Sequence, residues 1–288
     1  MIEQLRQTLR ALEKPAGIED GSGVLPLGVP AIDAALGGGF ARGALHEIAA
    51  AGEARAAAAA GFAMVVAALS SPSPRSTTPV IPGRPPKPEG RRRTSPESIT
   101  QAAEYGFRAR AFGASRNDEE RAGRGALVWL VEDMALAESG APYGPGLESF
   151  GLAPERLLTV AAEHRRDLLW AMEEALRCRA ASAVIGELRG REIDAVAVRR
   201  LSLAASESGA LALLLRASPP RDASTAATRW IVSAAPHDRF AVELTRNRRG
   251  PLGAWILQWS DDDERFVLAA PAQPVAAPAA DRPHRQVA

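Results

Sequence analysis

The stretches 126–131, ALVWLV, and 210–215, ALALLL, are unbroken apolar runs of six residues each. Runs of this kind are typical of strands that are covered on both faces, and residues 183–188, AVIGEL, resemble them. Apolar residues at helical spacing predict helices over about 165–180 and 191–208, between these runs. The order strand, helix, strand, helix, strand predicts right-handed crossovers in a mainly parallel sheet.

The sequence before these runs predicts the start of the same sheet. Residues 30–36 have a short helical pattern, and the glycine turn Gly37–Gly39 separates it from a strand over 44–49. An alanine-rich helix is predicted over about 54–69, with its bulkier side chains on one face. One more strand–helix pair therefore precedes the central runs.

After these runs, apolar residues alternate with small or polar ones. Phe240, Val242 and Leu244 follow this alternation, which predicts a strand with one buried face. The turn 249–253 then leads into a second strand, AWILQWS, at 254–260. We therefore predict an α/β fold with a three-layer core, a mainly parallel sheet and antiparallel strands at its C-terminal edge.

The composition excludes several classes of protein. The 288 residues are 46% hydrophobic and 24% charged, which suits one large α/β domain or two small ones. No apolar run is long enough to cross a bilayer, and the first ten residues include three charged side chains. We therefore expect a cytoplasmic protein without membrane contact. The single cysteine, Cys178, and four scattered histidines favour neither a disulfide nor a metal site. No cofactor is expected.

Residues 72–96 interrupt the predicted core. They contain eight prolines, a run of three arginines and no aromatic residue, so they offer too little apolar surface to offset the entropy of ordering the chain. We expect 71–100 to be disordered and 101–124 to be at best partly helical. The predicted organisation is an N-terminal helix and linker at 1–20, a core in two parts at 21–70 and 125–267, a mostly disordered insertion at 71–124 and a disordered tail at 268–288.

The predicted N-terminal helix has an apolar stripe formed by Ile2, Leu5, Leu9 and Leu12. Such a stripe needs an apolar surface to pack against. It either contacts a partner molecule or covers part of its own core, and both interpretations stay open at this point.

Residues 24–48 carry a pattern that resembles the first core segment of the RecA and RadA recombinases. In those proteins a short helix with an Ile-Asp pair and a run of glycines leads into the first core strand. The resemblance implies a RecA-like core here. The matching residues are Gly28, Ile32, Asp33, Leu36, Gly37, Gly38, Gly39, Phe40, Gly43 and Glu47.

The middle and the end of the chain narrow this resemblance. Residues 140–160, GAPYGPGLESFGLAPERLLTV, and 243–259, ELTRNRRGPLGAWILQW, look like the RecA-like ImuA family. The resemblance covers 24–69 and 125–260, whereas the insertion at 71–124 departs from it. It implies a role in damage-inducible mutagenesis, with an ImuB-like relative of the Y-family polymerases and an error-prone DnaE-type polymerase as partners. A contact with RecA or with single-stranded DNA is left open.

A RecA-type ATPase holds its nucleotide in a glycine-rich loop. Backbone N–H groups cradle the phosphates, a lysine reaches them and a Ser or Thr binds Mg²⁺. The corresponding stretch here, 49–64, has glycines but no lysine, serine or threonine. Lys14 and Lys87 are the chain's only lysines, and the planar guanidinium of Arg55 does not replace an ammonium group in such a loop. We therefore expect no ATPase activity and no enzyme function.

The same resemblance matches Glu187 to an acid that orders Mg²⁺, and Glu132 and Asp133 to the position of a water-activating carboxylate. A metal-ordering acid has little to act on without a phosphate loop. We therefore interpret Glu187 as a strand-end residue that pairs with Arg189 or Arg191. Glu132 and Asp133 are interpreted as solvated side chains.

Two candidate contacts for DNA or for a partner lie after the predicted strand 210–215. Arg216 and Arg221 belong to the stretch 216–225, which matches the second DNA-binding loop of the recombinases. This stretch is short and has no aromatic residue on which a base would stack. The sequence therefore favours weakened binding to single-stranded DNA.

Three further candidate contacts, Arg246, Arg248 and Arg249, lie in the C-terminal hairpin. Trp255 and Trp259 follow on the next strand, and charge combined with aromatic rings is typical of nucleic-acid sites. The alternative is that both tryptophans pack in the core and that the arginines form a solvated turn.

The predicted function is that of a non-catalytic RecA-like accessory protein in the SOS-induced complex for error-prone translesion DNA synthesis, acting by protein–protein binding. One alternative is a RecA-type ATPase or DNA-binding recombinase paralogue, against which the missing lysine argues. The other is a SulA-like inhibitor of cell division, which would bind the tubulin-like division protein.

Overall fold

The computed structural model describes residues 23–70, 125–190, 193–220, 224–263 and 265–269, and the backbone alone of 107–111. The strands are β1 Val24–Leu25, β2 Phe40–Ala41, β3 Leu45–Ala50, β4 Phe107–Ala111, β5 Ala126–Glu132, β6 Leu157–Ala162, β7 Ala181–Leu188, β8 Leu211–Arg216, β9 Thr228–Ala235, β10 Arg239–Asn247, β11 Gly253–Ser260 and β12 Arg265–Leu268. The helices are α1 Pro30–Ala35, α2 Ala56–Leu69, α3 Asp133–Ser139, α4 Gly144–Ser149, α5 Arg165–Arg177 and α6 Ala195–Ser208, with 3-10 turns at Glu53–Arg55 and Pro154–Arg156.

Ten of these strands form one sheet in the order β12-β11-β10-β9-β3-β8-β7-β5-β6-β4. Six consecutive strands in this order, β9-β3-β8-β7-β5-β6, are parallel to one another. β10, β11 and β12 continue the sheet beyond β9 as antiparallel strands, and β4 pairs antiparallel with β6 at the other edge. The predicted α/β class, with a mainly parallel sheet and antiparallel strands at its C-terminal edge, is confirmed.

Helices cover both faces of the parallel part. α2 packs on β3, β8 and β9 on one face, whereas α5 and α6 pack on the strands β5 to β8 and on β3 on the other. Adjacent residues of a strand point to opposite faces of the sheet. Leu213 therefore lies in the hydrophobic cluster under α2, and Leu214 lies in the hydrophobic cluster under α5 and α6. Burial on both faces explains the continuous apolar runs of these strands.

Among the described residues, α2 and its neighbours cover only one face of the antiparallel strands. Val242 and Leu244 lie with Trp230 in the cluster under α2, as their alternation predicts. The residues that alternate with these along the strands face the opposite side of the sheet. This is the side on which α5 and α6 pack, but these helices lie over β3 and β5 to β8 and not over the antiparallel strands. We call this other side the open face; it is formed by Ile231, Ser233, Ala241, Glu243, Ala254 and Ile256.

The glycine-rich turn ahead of β3 explains the pattern at 24–48. The carboxylate of Asp33 accepts hydrogen bonds from the backbone N–H groups of Leu27 at 2.7 Å and Gly28 at 3.0 Å, which fixes the chain just before α1. Gly39 has a φ of +141°, and a Cβ atom there would lie 2.2 Å from the carbonyl oxygen of Leu25. Only glycine fits at this point, where the chain enters β2 against β1.

Some elements differ from the prediction. Residues 107–111 form β4, so the expectation of at best partial helix there is wrong; the pairing with β6 decides the backbone conformation. The helix expected to begin at 191 begins at Ala195, where the side chain of Asp194 caps it, and it ends as predicted at Gly209 with a φ of +77°. β6, β9 and β12 were not predicted.

The predicted N-terminal helix at 1–20, most of the insertion at 71–124 and the tail from 270 lie outside the described residues. β3 lies between β8 and β9, so the described parts of the chain before and after the insertion build one sheet. In the described ranges, no helix combines the length and the apolar character that a membrane span requires.

Candidate functional site

The connection between β3 and α2 lies where the resemblance to recombinases puts a phosphate loop. It consists of residues 51–55, in which an extended Gly52 is followed by a single 3-10 turn. Two backbone N–H groups are already engaged, because that of Ala51 donates to the Val232 carbonyl at 2.9 Å and that of Arg55 to the Gly52 carbonyl at 2.8 Å. The connection is therefore short, partly hydrogen-bonded and without a lysine or hydroxyl side chain for a phosphate.

Glu187 lies near the carboxyl end of β7, on the face that α2 covers. Its Oε2 accepts a hydrogen bond from Nε1 of Trp129 on β5 at 3.2 Å. Burial raises the pKa of Glu187 above its ordinary value; Arg189 and the Trp129 bond lower the pKa, and Glu132 raises it further. The Trp129 bond ties the carboxyl group of Glu187 to the neighbouring strand β5.

Glu132 ends β5, and both of its oxygens are bound. Oε1 accepts a hydrogen bond from Nε of Arg165 at 3.3 Å, and Oε2 accepts one from the backbone N–H of Arg189 at 3.2 Å. The guanidinium of Arg165 also donates to the carbonyl oxygen of Arg189. The interpretation of Glu132 as a solvated side chain is therefore wrong, because it joins the start of α5 to the end of β7.

The side chain of Arg189 binds the end of α3 instead of forming the predicted ion pair with Glu187. Its guanidinium donates to the carboxylate of Glu138 and to the hydroxyl of Ser139. Arg191, the other predicted partner, lies outside the described residues. In the described parts of the chain, no three His, Cys, Asp or Glu side chains converge as metal ligands. The acids at this edge thus hold α3, α5 and two strands together.

The sequence reasoning missed the role of a buried acid on the first core strand. Glu47 is 1% exposed, and its carboxylate accepts hydrogen bonds from Nε of Arg229 at 2.6 Å and from the hydroxyl of Ser224 at 2.8 Å. Arg229 lies directly opposite Glu47 in the β3–β9 pair. The signal was a charged residue in the middle of a strand predicted to be buried, since a buried carboxylate requires a cation or hydrogen-bond donors.

The four candidate arginines that the structure describes do not form one cluster. Arg216, at the end of β8, is only 4% exposed, and Arg221 lies outside the described residues. Arg246 is half-buried on β10, where its Nε donates to the carbonyl oxygen of Ala226 at 3.3 Å. Since β8 and β10 are separated by two strands, Arg216 and Arg246 do not form one basic surface.

Arg248 and Arg249 are the exposed members of this set, in the turn between β10 and β11. The backbone N–H of Arg248 donates to the Ala227 carbonyl at 3.1 Å, and that of Arg249 donates to Oδ1 of Asn247 at 3.0 Å. These bonds hold the turn while both side chains stay exposed. Of the candidate contacts that the structure describes, these two are available to a phosphate or to an acidic partner.

The nearby tryptophans pack inward and do not form a stacking platform. The ring of Trp255 lies 6.2 Å from that of Trp230 in the core. Trp259 meets Phe150 edge to face at 5.5 Å and donates from Nε1 to the carbonyl oxygen of Ser149 at 2.9 Å. This arrangement fits the alternative in which both tryptophans belong to the core.

Comparisons with known proteins support the resemblance over part of the chain. No family model matches the sequence. Among solved structures, the crystal structure of the RadB recombinase has a TM-score of 0.49 and 13% identity, and the superposition covers 84% of this chain and 98% of that one. The chain is 32% identical over 155 residues to Protein ImuA from two strains of Caulobacter vibrioides. This match covers 46% of the chain and 60% of those relatives, less than two thirds of their length.

Proposed function

We propose that this chain is a non-catalytic accessory protein with a RecA-like core, which binds proteins in an SOS-induced complex for error-prone translesion DNA synthesis. Its proposed partners are an ImuB-like relative of the Y-family polymerases and an error-prone DnaE-type polymerase. The similarity to Protein ImuA supports this assignment, as does the sequence pattern at 140–160 and 243–259.

The observation that carries the non-catalytic part of the proposal is the β3–α2 connection. The terminal phosphates of ATP require converging N–H donors, a cation and a metal. Residues 51–55 have two N–H groups already engaged and offer no lysine or hydroxyl side chain, and the charge of Arg55 is offset by that of Glu53. The geometry and the side chains of this connection therefore oppose the binding of MgATP.

The acids at the ends of β5 and β7 support the same proposal. A RecA-type ATPase needs one acid to order Mg²⁺ and one to activate water. Here Glu187 accepts a hydrogen bond from Trp129, and Glu132 binds Arg165 and the backbone of Arg189. Their role in the proposal is to hold the edge of the sheet in one arrangement.

A titration with a fluorescent ATP analogue tests the non-catalytic part. With Mg²⁺ present, we expect no saturable binding, whereas a RecA-type ATPase measured alongside should bind. Saturable binding at micromolar concentration that requires Mg²⁺ would overturn the proposal and favour the ATPase alternative. The variant Glu53→Gln, which removes the negative charge from the connection, is expected to leave this result unchanged, because the lysine and the hydroxyl group are still missing.

Affinity capture tests the partner part. The tagged full-length chain is expected to retain the purified ImuB-like protein and, through it or directly, the DnaE-type polymerase. Failure to retain either protein at micromolar concentration would contradict the proposal. Retention of the tubulin-like division protein, together with filamentous growth on overexpression, would instead support the SulA-like alternative.

A further inference from the structure

The open face carries an apolar groove. Its volume is about 350 Å³, and its lining includes Ala51 and the open-face residues of β9, β10 and β11. Ile256 is 42% exposed within it, and Ala254 beside it is also exposed. Exposed aliphatic side chains in the middle of a sheet face are more typical of a surface that packs on another apolar surface than of a solvated one.

Two opposite charges flank the centre of this face on β10, the middle one of its three strands. Arg239, Ala241 and Glu243 follow one another at intervals of two residues, so their side chains point to the same side of the sheet. Nε of Arg239 donates to Oε1 of Gln258 on β11 at 3.2 Å, and Glu243 is exposed. The face therefore presents a cation and a carboxylate about 14 Å apart along the strand, with a small residue midway between them.

This arrangement of charges is complementary to itself. Two copies that pack face to face about a two-fold axis use the same residues on both sides of the contact. An axis that passes over Ala241 at right angles to β10 makes the two copies of β10 run antiparallel across the interface. The carboxylate of Glu243 then lies over the guanidinium of Arg239 of the second copy, and the symmetry repeats this contact on the other side of the axis.

The residues that lie nearest this axis are small or aliphatic. Ser233 and Ile256 are paired with Ala241 in the strand register, so the same axis passes over all three. Ala241 and Ser233 leave room for the opposite sheet, whereas Ile256 projects toward it. The two Ile256 side chains meet beside the axis, and each extends into the groove of the other copy. Small and large residues that alternate in this way allow two sheets to pack at about 10 Å.

The same charges select this orientation over the other simple one. A two-fold axis parallel to β10 would place the two Glu243 carboxylates over each other, and likewise the two Arg239 guanidinium groups. Like charges repel strongly when they lose water on binding, whereas complementary charges fix the register of an interface. Only the antiparallel arrangement of the two β10 strands therefore brings opposite charges together.

We propose that the open face is the interface of a two-fold symmetric dimer of this chain, with Glu243 of each copy bound to Arg239 of the other and with Ile256 at the centre. Three strands and five residues of β10 make a face of a few hundred Å², below the roughly 800 Å² per partner of a stable complex, so we expect a Kd on the order of tens of micromolar. The dimer covers the aliphatic side chains that α5 and α6 leave exposed.

Sedimentation velocity of the full-length chain tests this dimer. The natural sequence is expected to pass from monomer to dimer between about 1 and 200 µM. Glu243→Arg and Arg239→Glu, each alone, should weaken the association by at least about tenfold, because like charges then face each other across the axis. The matched control Glu163→Arg, which reverses an exposed charge outside the open face, should associate as the natural sequence does.

A mixture of the two charge variants gives the sharper test. In a heterodimer of Glu243→Arg with Arg239→Glu, one chain presents two arginines and the other presents two carboxylates, so both contacts again join opposite charges. The mixture should therefore form dimers although neither variant does so alone at the same concentration. A mixture that stays monomeric, or single variants that associate like Glu163→Arg, would overturn the proposal. A natural sequence that stays monomeric at about 200 µM would show that another element occupies the face.

Discussion

The parallel and antiparallel parts of the sheet bury their side chains differently. On parallel β8, the adjacent residues Leu213 and Leu214 are both 0% exposed, because helices cover both faces. On antiparallel β11, Leu257 is 0% exposed but its neighbour Ile256 is 42% exposed. The second helical layer therefore covers the parallel strands and leaves the antiparallel ones uncovered among the described residues.

This difference changes what each residue of a strand contributes to folding. Burial of apolar surface contributes about 25 cal/mol per Å² removed from water, so a strand that is covered on both faces gains more per residue than one with an exposed face. The open face keeps part of its apolar surface exposed among the described residues. The doubly covered part of the sheet ends between β3 and β9, because β9 is parallel to β3 but already contributes to the open face. At this border buried polar residues meet: Glu47 with Arg229, and His46 with Thr228.

The largest expected effect comes from breaking the ion pair at this border. Arg229→Met should lower the free energy of unfolding by about 3 to 5 kcal/mol, because Glu47 would keep a buried charge without its cation. Denaturant unfolding monitored by circular dichroism measures this change. The double variant Glu47→Leu/Arg229→Met should regain most of the loss; a double variant as unstable as the single one would show that the pair does more than compensate its own burial.

A cavity in the doubly covered part should cost somewhat less. Leu213→Ala removes a fully buried side chain between α2 and its neighbouring strands, and we expect a loss of about 3 kcal/mol. The same unfolding measurement applies. A loss below about 1 kcal/mol would mean that the layer under α2 collapses around the cavity, which would contradict a tightly packed parallel part.

His46, at the same border, should make stability depend on pH. Nε2 lies 2.9 Å from the Ala41 carbonyl and Nδ1 2.8 Å from the Thr228 hydroxyl, which suits a neutral ring protonated on Nε2. Burial lowers the pKa of His46 from 6.5 to about 4, with a smaller lowering from Arg249 and a raising effect of the hydrogen bond to Ala41.

Between these two pKa values the unfolded chain binds more protons than the folded one, so the stabilisation is present above 6.5 and is lost as the pH falls. From about pH 7 to about pH 5 the loss attributable to His46 should be about 2 kcal/mol. Unfolding measured across this range, with His46→Gln as the control, isolates the contribution. Parallel curves for the two proteins would rule it out.

The smallest expected effect is on the open face. Ile256→Thr should lower the free energy of unfolding by no more than about 1 kcal/mol, because the side chain is already 42% exposed and threonine suits a strand. Denaturant unfolding next to Leu213→Ala gives the comparison directly. A cost equal to that of Leu213→Ala would show that the open face is as deeply buried as the parallel core.

The patterns that predicted the fold correctly are those governed by local periodicity. ALVWLV and ALALLL became β5 and β8, and the alternation around Val242 became a strand with one buried face. β9 escaped prediction because TRWIVSAA mixes large and small residues, and its place next to β3 depends on a long-range pairing. The acid Glu132 was misread for the same reason, since Arg165 is 33 residues away in the sequence.

The sequence by itself determined the α/β class, the glycine turn before β3 and the lack of a lysine and a hydroxyl group in the β3–α2 connection, because these depend on residue type and local spacing. Only the tertiary structure decided which charges are paired, that Arg216 is buried and that Trp255 and Trp259 pack against the core. It also decided where the second helical layer ends. The physical reason is that burial and pairing depend on distances between segments remote in sequence, which no local pattern encodes.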